Sequence, residues 1–183
     1  GDAIRAHIGV SVTDAELSNL VAYVAQVGNQ ETTAPVGSAP GTGTGLAGSY
    51  YNNTTLSGAS VMQRVEAIAF KWSGSPGAGV NGNQFSARWT GQVEATATGN
   101  FRFLTRSDDG VRLWINGNLV IDHWTSHAVG DDVTGTIALT ANQRYSITME
   151  FYDNTATAVA RLYWEPPGQT AFAAIPKTSL YAN

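Results

Sequence analysis

The sequence contains no cysteine among its 183 residues. That removes disulfides, thiolate metal sites, covalent haem attachment and cysteine nucleophiles together. Whatever fold it adopts must rely on packing. Charge is also scarce: 13% of the residues are charged and the net charge is -4, so no basic surface is available to follow a phosphate backbone. Nucleic acid is not an expected partner. No apolar run is long enough to cross a bilayer, so no membrane insertion is expected. The chain opens at Gly1 without a basic and then apolar leader, and it reads as a piece of something longer. Its length suits one principal domain with a core that excludes water.

What is present divides into three parts: a helical segment over 1–28, a linker over 29–44 and a β-rich domain over 45–183. In the first, Thr13 followed by Glu16 forms a capping box ahead of Leu17, Leu20, Val21 and Val24 at helical spacing, and Gly28 supplies the stop. The stretch SVTDAELSNLVAYVAQVG resembles the last helix of a c-type cytochrome, but without a haem attachment sequence it implies only the tail of an upstream domain. The next stretch, GNQETTAPVGSAPGTGTG, has too little apolar surface to order itself.

Beyond Gly45, short runs rich in Val, Ile, Thr, Phe, Tyr and Trp alternate with turns of Gly, Asn and Asp, the pattern of an antiparallel sandwich or barrel. Strands are expected to start near Leu46, Val61, Ile68, Phe85, Phe101, Val111, Leu119, Val133, Tyr145 and Ala158. In NFRFLTRS, period two puts Phe101, Phe103 and Thr105 on one face and Arg102, Leu104 and Arg106 on the other. Tyr145, Ile147, Met149 and Phe151 alternate likewise, with Arg144, Thr148 and Glu150 expected to face outward. Asn116-Gly117 sits between two apolar runs and tolerates the positive φ of a type I′ hairpin.

The landmarks GLAGSYY, FSARWTGQVEA, GNFRFLTRSDDGVRLWINGNLVIDHW, YSITMEFYD and ARLYW, in that order, resemble the PA-14 domain of bacterial glycosidases and adhesins and of yeast flocculins and adhesins. The resemblance spans about 120 residues of the β region, and IPKTSLY is similar to the exit segment after such domains. It implies an all-β fold, an antiparallel β-sandwich or barrel.

Within the central block, Asp108-Asp109 places two carboxylates side by side, which repel unless a cation or hydrogen-bond donors offset them. On the residues alone SDDG is equally a turn, because Asp caps turns through its own backbone. The family resemblance implies that the pair coordinates calcium, often across a cis peptide, with an Asn from a later loop completing the shell and two sugar hydroxyls binding the same ion. That loop is expected at DNTATAV, so the Asn-like metal ligand is Asp153 or Asn154. It departs from the yeast adhesins in holding no Trp. Sugar contacts are expected from Asp108, Asp109, Asn154, Thr155 and Trp124, and carbohydrate is the expected partner, together with other domains of the parent chain.

Other candidates read differently. Asp131-Asp132 lies in AVGDDVTG and fits an exposed turn. His123 and His127 are four apart in what reads as a loop, without a third ligand, so zinc is not expected. Trp89, Trp114 and Trp164 read as core or strand packing, whereas Trp72 and Trp124 sit beside loops and could stack on a sugar ring. GTGTG and SPGAGVNG match no phosphate-binding loop. Three functions compete: a non-catalytic lectin-like module of an extracellular, cell-surface or periplasmic protein; a packing module without a ligand; and a hydrolase drawing on Asp108, Asp109, Asp153 and Glu66.

Overall fold

The computed structural model describes residues 41–183. The expected N-terminal helix and most of the expected linker lie outside the described residues. Thirteen strands follow one another: β1 (Leu46–Tyr51), β2 (Met62–Glu66), β3 (Ala69–Trp72), β4 (Phe85–Glu94), β5 (Gly99–Asp108), β6 (Val111–Ile115), β7 (Asn118–His123), β8 (Gly130–Val133), β9 (Ile137–Leu139), β10 (Arg144–Asp153), β11 (Ala158–Glu165), β12 (Ala173–Ala174) and β13 (Leu180–Tyr181). One sheet runs β2-β1-β4-β10-β6-β7 with β13 beside β4, and the other runs β12-β11-β5-β8 with β3 on β11 and β9 on β5. Every pairing is antiparallel.

The period-two pattern explains why these segments are strands. Phe101, Phe103 and Thr105 of β5 are fully buried, as are Met149 and Phe151 of β10, so each strand covers one face and presents the other to water. Between the sheets Trp72 stacks on Phe70 at 4.6 Å and meets Tyr50 and Phe85 edge-on at 6.4 and 5.6 Å, geometries that aromatic quadrupoles favour. Trp72 is therefore a packing residue of the core and not a platform beside a loop. Trp89 and Trp164 are buried, and Trp114 is half-buried on an outer face. The hairpin at Asn116-Gly117 has φ of 51° and 77°, the two positive values that a type I′ turn needs.

Several elements differ from expectation. Asp131 and Asp132 lie in β8, paired with Arg106 and Thr105 of β5, so they are strand residues and not an exposed turn. Likewise His123 ends β7 instead of lying in a loop. Glu150 does point outward, but it is only 7% exposed because Arg88 and Arg112 close over its carboxylate at 2.6 and 3.0 Å. The end of the expected linker and the first residue of the β-rich domain are tied down: Gly43 N–H donates to the Thr178 carbonyl at 2.9 Å and Gly45 N–H to the Leu180 carbonyl at 3.0 Å. The IPKTSLY segment thereby becomes part of the fold, with β13 adding to β4.

The connections that matter for function are four of those that change sheets. The chain leaves one sheet for the other at 73–84 (β3 to β4), 109–110 (β5 to β6), 124–129 (β7 to β8) and 154–157 (β10 to β11). Register brings these crossings to one end of the sandwich. Trp72 opposes Ala158, Phe85 opposes Asp153, Val111 opposes both His123 and Phe151, and Ser107 opposes Gly130.

Candidate functional site

Asp108 is the last residue of β5, and Asp109-Gly110 carries the chain to β6. The Asp108-Asp109 peptide is cis. Gly110 is required by close packing: a Cβ there would lie 2.3 Å from the Tyr152 ring. The Gly110 carbonyl accepts the Tyr152 N–H at 3.0 Å, so the first crossing is strapped to the end of β10. This strap sets Asp153, the final residue of β10, against the acidic pair.

Asp109 is 5% exposed and holds two other crossings. Its Oδ1 accepts the Ser126 hydroxyl at 2.5 Å and the His127 N–H at 3.2 Å, and its Oδ2 accepts the Asn154 N–H at 2.7 Å. These neutral donors offset its charge. Asp108 is partly exposed, and burial together with the Asp109 charge raises its carboxyl above the usual range.

Asp153 differs from both. It is fully buried, and neither carboxylate oxygen has a hydrogen-bond partner. Burial first, and then the charges of Asp109 and Asp108, push its carboxyl up to about 6. Three acidic groups therefore share one field without a basic partner for Asp153. Among the described residues, no group of three or more His, Cys, Asp or Glu side chains is placed to hold a metal ion by itself. Any full coordination shell here would need backbone or ligand oxygens as well.

The alternatives for the later loop separate clearly. Asp153 brings its side chain to the pair, whereas Asn154 brings its backbone N–H and is itself exposed, as is Thr155. Trp124 is half-buried, with the Arg112 guanidinium 4.0 Å above its ring and Tyr152 against it at 4.8 Å. Glu66 is held by the Tyr50 hydroxyl at 2.5 Å, the Trp89 indole N–H at 2.8 Å and an ion pair with Arg64. It anchors the β1–β2 edge of the core, a setting that gives it no acid or base role beside the aspartates.

His123 and His127 stack at 4.0 Å, and Asp132 lies 3.1 Å from His123 Nδ1. Sequence reasoning missed Ser126 and His127 as partners of Asp109, because DHWTSHAVG draws attention to its histidine spacing and nothing local marks a serine that reaches 17 residues back. Tyr152, which lies over Gly110, was missed for the same reason.

The PA14 domain profile matches residues 43–177. The anti-sigma-I factor RsgI3 of Acetivibrio thermocellus is 38% identical over 144 residues, covering 78% of this chain and 22% of that protein. A solved anti-sigma factor domain-containing protein from Clostridium clariflavum is 33% identical with a TM-score of 0.75, covering 80% of this chain and 50% of that one. The chain thus spans half or less of the length of these relatives. A solved structure described as a PA14 sugar-binding domain from an RTX adhesin shares the fold at 17% identity and a TM-score of 0.63, covering 76% of this chain and 99% of that one.

Proposed function

Because the chain belongs to the PA14 domain family, we propose that it is a non-catalytic carbohydrate-binding module whose Asp108, Asp109 and Asp153 hold a calcium ion that recognises a sugar diol. The single observation behind this reading is Asp153, a fully buried carboxylate with both oxygens unpartnered, set in the field of two more carboxylates. An unpaired buried charge is costly unless it is neutralised or coordinates a metal.

The donors fit calcium in kind, being oxygens with carboxylates predominant. Bound there, the ion accepts sugar hydroxyls in place of water. The protein's own part is to fix the oxygens: Ser126, His127 and Asn154 orient Asp109, the Tyr152–Gly110 strap positions Asp153, and Asp108 faces the opening. Asn154 and Thr155 form an exposed rim for contacts to the sugar.

The adhesin neighbour described as sugar-binding supports carbohydrate as the ligand class. The anti-sigma factor relatives support a place in a longer protein that turns ligand binding into regulation. Both are consistent with a domain displayed outside the cytoplasm, as an extracellular, cell-surface or periplasmic unit alongside other domains of the parent chain.

A second reading has one observation in its favour: the hydrogen bonds to Asp109 already give the acidic pair a structural job in a module that binds nothing. Calorimetric titration of fucose, mannose, glucose and galactose, and of glucuronate and galacturonate, with calcium and with chelator, separates the two. Calcium-dependent binding of any of these sugars supports the lectin reading. Binding by none, or binding indifferent to calcium, overturns it.

A further inference from the structure

Among the described residues there are seven arginines, and six have a carboxylate within ion-pair distance: Arg64 with Glu66, Arg88 and Arg112 with Glu150, Arg102 with Glu165, Arg106 with Asp131 and Arg144 with Glu94. Arg161 is the exception, and its Nε is buried without an acceptor. It stands directly across from Arg106 in the β11–β5 register, a like-charge pairing that destabilises a sheet when nothing offsets it. Asp131 takes Arg106 through two bonds of 2.6 and 2.7 Å, which leaves Arg161 unsatisfied. Lys71, exposed on β3, also has no carboxylate partner among the described residues.

These two cations share a cavity with Asp108, one of the three proposed calcium ligands. Lys71, Arg106, Asp108, Thr157 and Arg161 line a depression of about 340 Å³, within the range of roughly 300–1,000 Å³ that holds small ligands. Register fixes the order: Lys71, Val159 and Asp108 oppose one another across β3, β11 and β5, and Arg161 lies two residues along β11 on the same face. At about 4.8 Å per strand spacing, Lys71 and Asp108 are roughly 10 Å apart along the backbone row. A sugar with its hydroxyls toward Asp108 would carry its far substituent toward Lys71 and Arg161.

We infer that the sugar taken at this site is anionic, a hexuronic acid whose carboxylate is received by Arg161 and Lys71. The inference rests on the calcium–diol reading and adds the substrate class to it. A planar carboxylate matches the guanidinium fork and would supply the counter-charge that Arg161 and Lys71 both lack among the described residues. A neutral hexose would leave both cations without a counter-charge, and a site built for a charged partner discriminates against a ligand that lacks the charge. The overall charge of -4 does not attract polyanions, so the selectivity comes from these two side chains.

The test is a paired titration in excess calcium of galacturonate against galactose and of glucuronate against glucose, with galactose 6-sulfate as a third arm. At least one uronate should bind tenfold or more tightly than its neutral parent. Lys71→Ala and Arg161→Met should each reduce that preference, and together abolish it, without weakening the neutral sugar. Lys71 is exposed, so its variant keeps the test informative should Arg161→Met fold poorly. Equal binding of uronate and parent, or a preference untouched by either substitution, overturns the inference while leaving the calcium–diol reading standing. Tighter binding of the sulfate ester than of the uronate overturns the carboxylate assignment. Uronate binding that persists in chelator overturns the shared site, and failure of every sugar to bind overturns both readings.

Discussion

The chain carries two acidic doublets, Asp108-Asp109 and Asp131-Asp132, each flanked by a glycine, and the fold treats them in opposite ways. The second lies in β8 with a basic partner for each carboxylate: Arg106 grips Asp131 at 2.6 Å, and His123 lies 3.1 Å from Asp132. The first lies at a crossing between sheets, where Asp109 has only neutral donors and the neighbouring Asp153 has none. Charge density is the same in both. What separates a balanced surface from a candidate cation site is whether the protein supplies the counter-charge itself.

The comparison can be broken most forcefully at Asp109. Asp109→Ala removes the acceptor for three donors, two of them backbone groups, and should lower stability by about 3 kcal/mol in urea unfolding. Asp131→Ala, which breaks a pair at the surface, should leave the unfolding midpoint nearly unchanged. Equal losses would mean that the two doublets do the same work.

The flanking glycines sharpen the same contrast. Gly110→Ala drives a methyl group into the Tyr152 ring and should cost about 1–3 kcal/mol. Gly130→Ala meets nothing nearer than 3.7 Å and should stay within about 0.5 kcal/mol. Thermal unfolding of the two variants side by side is sufficient.

Titration should give opposite signs. The Asp153 carboxyl is raised to about 6 from 3.8, so in chelator the folded state holds a proton that the unfolded chain has released. Stability then falls as pH rises from about 4 to about 6, by up to about 3 kcal/mol. Asp153→Asn should flatten that slope, and calcium should reverse it. Arg106 holds the Asp131 carboxyl below its usual range, so its contribution is present above about pH 4 and fades as pH falls. Asp131→Asn should therefore leave the slope between about pH 4 and 6 in place, the smallest effect of the series.

Much of this was legible in the sequence. Half-buried strands must alternate, so β5, β10 and the β6–β7 hairpin declare themselves through Phe101 and Phe103, Ile147 and Met149, and Asn116-Gly117. The same alternation held an unused clue: Asp153 shares the parity of Ile147, Met149 and Phe151 and therefore points into the sandwich, whereas Asn154 does not. β8 was not legible, because GDDV has no strand pattern and its pairing depends on Arg106 in another segment. The partners of Asp109 were hidden for the same reason, since Ser126 and Asn154 reach it only after both crossings are folded. β9, β12 and β13 are too short to show a period.

Calcium calorimetry at neutral pH on the wild-type chain, Asp153→Asn and Asp131→Asn tests the central claim most directly. One ion per chain is expected, with a Kd of roughly 10⁻⁴ to 10⁻³ M as for extracellular calcium modules, lost in Asp153→Asn and retained in Asp131→Asn. No binding by the wild type, or undiminished binding by Asp153→Asn, would contradict the account.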